Sequence, residues 1–574
     1  MKVNHCAVYV GFLVMLTIAA WSPLATAKVE STPWWQSAVV YQIYPRSFQD
    51  SNGDGVGDLQ GIISRLDYLK DLGVDAVWIS PFYPSPMKDF GYDISDYTDV
   101  DSRFGNRADF EALVAAMHQR GMKLILDFVP NHTSEEHPWF RQSRQSKTNP
   151  KRNWYMWRDG RTPDTPPNNW RSVFGGSAWK LDPLTGQYYY HAFLEAQPDL
   201  NWRNPEVRTA MDAVMRYWLD RGVDGFRVDA IVQLTEHPSL LDEPLNPNYQ
   251  PTMADYERNL PVYTEDQPDT HQMVSGMRKL FDSYDGNRLL IAETYLPYNR
   301  LVAYYGSKDA PEAHLPFNFH LMNAPWNAAE VGKIVRDYEA ALPPGAWPNW
   351  VLSNHDRSRV ASRLPAGQER VAAMLLLTLR GTPTMYYGDE LGMRDITVPT
   401  ALSQDPFEKR DPGKGLGRDP ERSPMQWDGT KGAGFSTGTS WLPLAPDYQT
   451  VNVATESADP KSLLSLYRAL LALRHSEPAL STGSIQLVDG PSDCLSYERA
   501  AGESRFLVVI NFSNHAVSVP LGARHGRVLM SSTMEPSDKP VAGTLALRAN
   551  EGLMIALDGP AATAKVDGAP PSLR

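Results

Sequence analysis

Cysteine is nearly absent from this chain, since Cys6 and Cys494 are the only two among 574 residues. Cys6 lies in an N-terminal segment that we expect to be removed, which would leave Cys494 alone. The pattern therefore excludes a disulfide framework within the mature chain. The sequence also offers no set of His and Cys residues that suggests a zinc site.

Positive charge is in deficit. The chain has 55 Lys and Arg against 67 Asp and Glu, a formal net charge of −12. Proteins that bind nucleic acid neutralise phosphates with a basic excess, so we expect no nucleic-acid partner. Aromatic residues are plentiful, with 16 Trp and 26 Tyr, which suits sugar rings as well as a large core.

Long hydrophobic runs are missing after the N-terminus. There, Lys2 precedes an apolar segment over residues 7–21, and "ATA" at residues 25–27 fits a cleavage site. We interpret residues 1–27 as a signal peptide, with an exported mature protein in the periplasm or outside the cell and no membrane contact after cleavage. An uncleaved anchor is the alternative, but the run is short for a bilayer. The sequence leaves open a monomer or a small homo-oligomer.

Short apolar segments alternate with amphipathic helices along most of the chain. Eight such segments are expected to be strands, at residues 39–44, 74–80, 122–128, 223–229, 289–293, 314–319, 350–354 and 382–388. Eight strand–helix units predict an α/β fold, a closed (β/α)8 TIM barrel. Helices are expected over "LDYLKDL", "ADFEALVAAMHQR" and residues 463–480.

The spacing of these segments predicts the domain organisation. The catalytic barrel would comprise residues 28–131 and 206–480, with an inserted subdomain at 132–205 after the third strand. An excursion after the eighth strand would cover 390–445, within the barrel domain. A C-terminal all-β domain is expected at 481–558, as a β-sandwich, and a disordered tail, rich in Ala, Pro, Lys and Ser, at 559–574.

Charged residues stand where apolar strands end. Arg227 and Asp229 belong to the fourth predicted strand, Asp127 and Glu293 lie at the ends of the third and fifth, and Asp356 follows the seventh. A barrel gathers these strand ends at one rim, and paired carboxylates are the groups that glycoside hydrolysis needs. A lone carboxylate at a strand end is more often a helix cap or a loop hydrogen bond. Four in phase with the barrel favour a catalytic site.

The spacing within the fourth strand suggests how two of these charges act together. Arg227 lies two residues before Asp229 and can face the same side of the strand. We expect its charge to keep Asp229 ionised, as a nucleophile requires. An acid partner would need a raised pKa to remain protonated, and Glu293 is the candidate.

Four motifs in order, "DFVPNH", "GFRVD", "IAET" and "LSNHD", resemble the signature regions of glycoside hydrolase family 13, the α-amylase family. "QPDLN" at residues 197–201 resembles an additional region, and "VVYQIYPRSFQDSNGDGVGDLQGI" is similar to the oligo-1,6-glucosidase and α-glucosidase branch. The resemblance covers about residues 35–558. It implies an exported, bacterial-type α-glucosidase that needs no organic cofactor and acts on an oligosaccharide or α-glucoside.

The resemblance also implies roles for individual residues. Asp229 matches the nucleophile, Glu293 the general acid/base, and Asp356 the carboxylate that supports the transition state. The implied substrate-binding residues are Asp89, Tyr92, His132, Phe174, Phe193, Gln197, Arg227, His355 and Arg418. Arg418 would pair with Asp89 and close the pocket after one sugar, with Arg422 as the weaker candidate. A pocket closed in this way implies an exo-acting enzyme.

The residue after the nucleophile bears on the linkage that is cleaved. In related enzymes valine at this position accompanies α-1,6 activity, whereas alanine or threonine accompanies α-1,4 activity. This chain has Ala230, which favours maltose-type α-1,4 substrates and a retaining, double-displacement mechanism.

The segment "DSNGDGVGD" at residues 50–58 has oxygen-bearing side chains at alternate positions. It resembles the start of an EF-hand loop, with the candidate calcium ligands Asp50, Asn52, Asp54, Asp58 and the carbonyl of Val56. The twelfth position is Gly61 instead of Glu. The alternative is a glycine-rich turn, but the same loop binds calcium in this branch of the family, so we expect one structural Ca²⁺.

Two other functions remain open at this point. A transglycosylase, or a sucrose or maltose isomerase, of the same family would carry the same catalytic residues. A non-catalytic relative would be expected to lack the catalytic carboxylates and carry a membrane anchor. All three of Asp229, Glu293 and Asp356 are present, which argues against the second alternative.

Overall fold

A computed structural model describes Met1, residues 32–536 and residues 538–559. The expected signal peptide, apart from Met1, and the tail after residue 559 lie outside the described residues. The described residues from Trp34 onward belong to one compact unit. Within the described part of the chain, no helix combines the length and the apolar character needed to cross a bilayer.

Seventeen strands make up three sheets. In chain order they are β1 Val40–Ile43, β2 Ala76–Ile79, β3 Lys123–Phe128, β4 Trp157–Arg158, β5 Trp179–Asp182, β6 Gln187–Tyr190, β7 Gly225–Val228, β8 Leu289–Ala292, β9 Leu315–Pro316, β10 Asn349–Val351, β11 Thr382–Tyr386, β12 Ser484–Val488, β13 Cys494–Ala501, β14 Ser504–Asn511, β15 Val517–Ser531, β16 Pro540–Leu547 and β17 Gly552–Leu557.

Sixteen α-helices lie among the described residues. They are α1 Trp34–Ser37, α2 Pro45–Phe48, α3 Leu59–Ser64, α4 Leu66–Leu72, α5 Arg107–Gln119, α6 Pro138–Ser143, α7 Pro205–Leu219, α8 Pro268–Asp282, α9 Tyr298–Leu301, α10 Ala328–Ala341, α11 Val360–Arg363, α12 Glu369–Thr378, α13 Pro406–Arg410, α14 Val453–Ala458, α15 Leu463–Ser476 and α16 Pro478–Ser481.

The largest sheet is the barrel. Its eight strands have the order β10-β11-β1-β2-β3-β7-β8-β9, and every neighbouring pair is parallel. Strands β1, β2, β7 and β8 are buried at every residue, as expected for parallel strands covered on both faces. This arrangement confirms the predicted (β/α)8 fold.

The two ends of this sheet meet through a side chain. β9 and β10 share no strand ladder, but the Asn349 amide donates to the Pro316 carbonyl and accepts a 2.9 Å hydrogen bond from the Asn318 backbone N–H. Asn349 is fully buried. A side-chain amide, with one donor and one acceptor, therefore replaces the missing backbone pair at the barrel seam.

Two helix ends show how local sequence sets the element boundaries. α4 ends at Gly73, whose φ of 102° is a left-handed conformation that glycine adopts without steric cost. The helix expected over residues 463–480 is instead two helices that meet at Glu477. Pro478 is the cause, because it lacks an N–H and restricts the residue before it to an extended conformation.

Two further sheets are formed by segments outside the barrel strands, one between β3 and β7 and one after β11. The region between β3 and α7 contains α6 and an antiparallel sheet in the order β4-β6-β5. After α16, the last six strands form one antiparallel sheet, β12-β13-β14-β17-β15-β16. The all-β prediction for this part of the chain is confirmed. The six strands are joined in one hydrogen-bonded sheet, and the division of this sheet into the two layers of a sandwich stays a prediction.

The excursion after β11 is mostly turns. Residues 390–445 contain α13 and short 3-10 segments, including Thr400–Leu402 and Pro420–Arg422. Trp427 donates from its indole N–H to the Phe48 carbonyl, 2.7 Å away, which ties this segment to the end of α2. The segment is therefore fixed against the barrel and can contribute side chains to its rim.

Candidate active site

The site residues continue the inward-facing positions of the barrel strands. Along β8, Leu289 and Ile291 point into the apolar interior, and Glu293 is the next residue in the same alternation. Along β7, the same alternation runs from Gly225 through Arg227 to Asp229. Gly225 leaves room for the neighbouring strand, because a Cβ there would lie 2.4 Å from the Leu289 carbonyl oxygen.

Arg227 explains the charges in the buried strand. Its side chain is 0% exposed, and its Nη1 donates to Asp127 Oδ1 at 2.9 Å and to Asp229 Oδ1 at 2.6 Å. Its Nη2 lies 2.5 Å from Glu293 Oε1. One guanidinium thus contacts three carboxylates, two of which are the candidate nucleophile and acid.

Glu293 is also held by the main chain beside the nucleophile. Its Oε2 accepts a 2.8 Å hydrogen bond from the Ala230 backbone N–H. Ala230 itself adopts a left-handed conformation, with φ 46° and ψ 35°. The turn after β7 therefore places Asp229 and Glu293 on the same guanidinium.

Burial dominates the acidity of these two groups. It raises the pKa of Glu293 to about 8, against the opposing charge of Arg227. Burial likewise raises the pKa of Asp229 to about 7, although Arg227 lowers it. Burial and the charge of Arg227 thus act on the pKa of Asp229 in opposite directions, and the expectation that Arg227 keeps Asp229 ionised stays a prediction. The order of the two values still places the proton on Glu293 first, as an acid–nucleophile pair requires.

A chain of polar rings lies on the other side of Asp127. Tyr92 donates to Asp127 Oδ2 at 3.0 Å, and its hydroxyl is 2.5 Å from His355 Nε2. The Tyr92 and His355 rings are stacked, with centroids 5.3 Å apart. Gln42 lies 2.7 Å from His355 Nδ1. Burial holds the pKa of His355 well below its usual value, so this ring is neutral, and its two nitrogens are engaged by Tyr92 and Gln42.

Arg418 joins the excursion after β11 to the rim of the barrel. Its Nη2 donates to Asp89 at 2.7 Å and its Nη1 to Asp356 at 3.1 Å. Asp405 is fully buried and accepts from Arg418 Nε at 3.0 Å. Arg422 contacts Asp356 at 2.9 Å. Although burial opposes it, the neighbouring His355, Arg418 and Arg422 together keep the pKa of Asp356 far below its usual range.

The remaining predicted binding residues lie beside Asp89. Gln197 donates to Asp89 Oδ2 at 3.1 Å and lies 3.0 Å from His132 Nε2. The Phe193 ring is 5.1 Å from His132, and Phe174 lies 6.3 Å from Phe193. The structure thus gathers all the sequence-predicted substrate-binding residues around the three catalytic candidates.

Three contributors were missing from the sequence analysis. Asp405 and Phe407 lie in the irregular excursion, where no periodicity marks a functional position, and Phe407 packs 4.3 Å from Phe174. Gln42 lies in β1, one residue before the strand ends, within an otherwise apolar segment. Asp127 and Glu293 were identified as carboxylates at strand ends. Gln42 also lies near a strand end, but its side chain is an amide and not a carboxylate.

The candidate calcium loop lies apart from these contacts. Asp50 accepts a 2.6 Å hydrogen bond from the Ser436 hydroxyl, and Asp58 caps α3 by accepting from the Gly61 backbone N–H. The loop packs against residues 435–440, since a Cβ at Gly55 would lie 1.9 Å from the Thr439 carbonyl oxygen.

Comparison with known proteins agrees with this geometry. Residues 42–483 match the family described as "Alpha amylase, catalytic domain", and residues 496–541 match a "Beta-galactosidase C-terminal domain". A probable alpha-glucosidase of Rhizobium meliloti is 40% identical over 85% of this chain and 91% of its own length. An oligo-1,6-glucosidase of Parageobacillus thermoglucosidasius is 40% identical over 84% of this chain and 90% of its own.

Solved structures with other named activities have the same fold as this chain. The alpha-glucosyl transfer enzyme XgtA superposes with a TM-score of 0.86 at 39% identity, covering 92% of this chain and all of that one. The trehalulose synthase MutB of Pseudomonas mesoacidophila MX-45 gives a TM-score of 0.84 at 37% identity, with the same coverage.

The protein is a glycoside hydrolase, a class defined by its barrel, by the carboxylates at the barrel rim and by these matches. The chain belongs to the α-amylase family, glycoside hydrolase family 13, and its relatives include α-glucosidases and oligo-1,6-glucosidases at about 40% identity.

The raised pKa values predict a narrow, bell-shaped pH dependence of kcat/KM. Activity should fall above about pH 8 as Glu293 loses its proton, and below about pH 7 as Asp229 gains one. Because the two groups interact, the limbs report the pair. The measurement is kcat/KM against pH with an α-glucoside. As a control, Glu293→Gln assayed with a leaving group that needs no proton should lack the alkaline limb. An alkaline limb retained in that variant would rule out Glu293 as its origin.

Proposed function

We propose that the protein is a retaining, exo-acting α-glucosidase that removes terminal non-reducing α-1,4-linked glucose from maltose-type oligosaccharides or α-glucosides. The observation that carries this proposal is the pair of carboxylates, Asp229 and Glu293, held on one buried guanidinium, with the Asp89–Arg418 ion pair beside them. The first supports retention, and the second supports a pocket for one sugar.

The groups at the site support a double displacement. Asp229 attacks the anomeric carbon while Glu293 transfers its proton to the leaving oxygen, which gives a glucosyl ester on Asp229. Glu293, now a carboxylate, takes a proton from water, and that water displaces Asp229 with net retention. Asp356, kept ionised by its arginine neighbours, stabilises the positive charge that develops on the sugar ring.

The exo preference follows from the charges around Asp89. Asp89, Arg418 and Asp405 are buried and bonded to one another. Opening this end to a longer chain would leave a buried charge without its partner, which costs several kcal/mol. This ion-pair network therefore closes the pocket beyond the glucose ring. The non-reducing end of an oligosaccharide would fit against it, whereas a sugar inside a longer chain would not.

Transglycosylation is the second candidate. The neighbour XgtA is described as an alpha-glucosyl transfer enzyme and MutB as a trehalulose synthase. Both activities would use the same glucosyl ester on Asp229 and differ in whether water or a sugar hydroxyl attacks it. The catalytic contacts described above serve either outcome, so the products must distinguish them.

A proton NMR time course with maltose, isomaltose and sucrose tests the proposal. We expect maltose to be consumed fastest. With p-nitrophenyl α-glucoside, whose only glucose is the transferred one, α-glucose should appear before its β-anomer, since two inversions restore the original configuration. The Asp229→Ala protein is the control for contaminating activity and should release no glucose. Accumulation of new glucosides with little free glucose would instead establish a transglycosylase, and β-glucose as the first product from the aryl glucoside would contradict retention.

Ala230 generates a prediction about linkage. Ala230→Val should shift the ratio of kcat/KM for isomaltose over maltose upward, by an amount on the order of the tenfold that one or two methyl groups contribute in a pocket. Valine is also strained at the left-handed φ of 46°.

Ala230→Thr carries the same β-branching and strain, so it isolates the effect of the methyl group from the backbone effect. Melting temperatures of both variants complete the comparison. An unchanged ratio in Ala230→Val, or an equal change in Ala230→Thr, would show that the residue does not set the linkage through its apolar side chain.

We also propose that the loop at residues 50–58 binds one structural Ca²⁺. Its oxygens are arranged as successive turns: Asp50 accepts from Asn52 N–H at 3.0 Å, Asn52 from Asp54 N–H at 2.9 Å, and Asp54 from Val56 N–H at 2.8 Å. Oxygen-only donors suit Ca²⁺. Among the described residues, no group of three or more His, Cys, Asp or Glu clusters as a metal site, so the Asn52 amide and the Val56 carbonyl would complete the ligand set.

Chelation should therefore lower the melting temperature, and added Ca²⁺ should restore it, because a ligand that binds only the folded state stabilises it. The Asp54→Asn protein should show a smaller response to both treatments. If the melting temperature is insensitive to chelation and elemental analysis finds no calcium, the loop is a glycine-rich turn without a metal.

A further inference from the structure

The catalytic turn after β10 carries an arginine that the site described so far does not use. His355 and Asp356 lie in a tight turn bracketed by a backbone bridge between Asn354 and Arg357. The Asp356 backbone N–H donates to Asn354 Oδ1 at 3.0 Å. The turn that fixes the catalytic carboxylate therefore also fixes where the Arg357 side chain begins.

Arg357 differs from the other arginines of the site. Arg418 contacts three carboxylates and Arg422 contacts Asp356, whereas no ion pair between described residues includes Arg357. Arg357 is exposed, and its guanidinium lies 5.5 Å from the centre of the Tyr295 ring. Its donors are thus not committed to a carboxylate.

The position of Tyr295 places Arg357 on the leaving-group side. Glu293 must reach the leaving oxygen, and Tyr295 follows it by two residues. Tyr295 is 40% exposed, is stacked on Phe319 at 4.2 Å, and accepts from Asn354 Nδ2 at 3.4 Å. The opposite end of the pocket is closed by Asp89 and Arg418. A leaving group must therefore emerge where Tyr295 and Arg357 lie.

We propose that Arg357 is a specificity-determining residue for the leaving group, which donates hydrogen bonds to the hydroxyls of a sugar and so favours a sugar over an aryl aglycone. This inference rests on the proposed glucosidase function and deepens it. A guanidinium presents five N–H donors in a planar fork, which suits adjacent hydroxyls. The exposed Tyr295 face can pack against a sugar or an aryl ring alike, so only Arg357 distinguishes the two.

The same subsite would receive an acceptor when the glucosyl ester is attacked by something other than water. Arg357 would then favour sugar acceptors over apolar alcohols by the same hydrogen bonds. The class of leaving group and the class of acceptor are therefore set by one side chain.

The test compares kcat/KM for maltose and for p-nitrophenyl α-glucoside in the full-length enzyme and three variants. Arg357→Met should lose about 10- to 100-fold on maltose, the usual loss for hydrogen bonds to a charged donor, with little change on the aryl glucoside. Arg357→Lys, which keeps a donor, should lose less on maltose. Tyr295→Ala should weaken both substrates, since both would lie against its ring.

Arg107→Met is the matched control, because Arg107 is a surface arginine paired with Asp99 and should leave both values unchanged. Equal losses on the two substrates in Arg357→Met would show that the residue only shapes the Asp356 turn, and no loss on either would show a solvated side chain. Both results overturn the proposal.

The design also separates failure of this inference from failure of the proposed function. If the unmodified enzyme turns over sucrose or isomaltose instead of maltose, the α-1,4 assignment fails. The ratio of that disaccharide to the aryl glucoside in Arg357→Met then decides the role of Arg357 in the same way.

Discussion

The catalytic rim depends on a guanidinium that has no contact with water. Arg227 is 0% exposed and faces Asp127, Asp229 and Glu293. Removing two charges from water is costly unless each finds a partner, so this cluster is stable only as a whole. The same requirement holds the candidate nucleophile and acid against one guanidinium. The chemistry is thus set by electrostatic compensation inside the barrel, and the loops around it complete the pocket.

The barrel supplies a platform for these charges because its interior is layered. Apolar side chains such as Ile125, Leu289 and Ile291 fill the lower part, and the next inward positions of the same strands carry Asp127 and Glu293. The excursion after β11 supplies what the strands do not. Arg418 reaches Asp89 across 329 residues of sequence, which joins an irregular segment to the barrel rim and closes the pocket on one side.

The sequence predicted what alternation and strand ends encode. All eight barrel strands and the carboxylates near their ends are where the pattern places them. Successive side chains of a strand alternate between the two faces of the sheet, so the apolar positions determine which residues face the barrel interior. The sequence did not reveal Asp405, Phe407 or the Asn349 seam, whose roles depend on contacts between distant segments. The charge of Arg227 beside Asp229 can be read from the sequence, whereas the burial that raises the pKa of Asp229 cannot.

The distinction between hydrolysis and glucosyl transfer lies outside the groups that perform the chemistry. Asp229, Glu293 and Asp356 act on the glucose ring and its glycosidic oxygen in either reaction, so their geometry carries no information about what attacks the ester. That information must come from side chains that contact the other partner. Among the described residues, Tyr295 and Arg357 are exposed groups next to the acid. Under our proposal the Tyr295 ring would shield one side of the ester from water and the Arg357 guanidinium would hold acceptor hydroxyls beside it, so the balance between the two would set the fate of the glucosyl group.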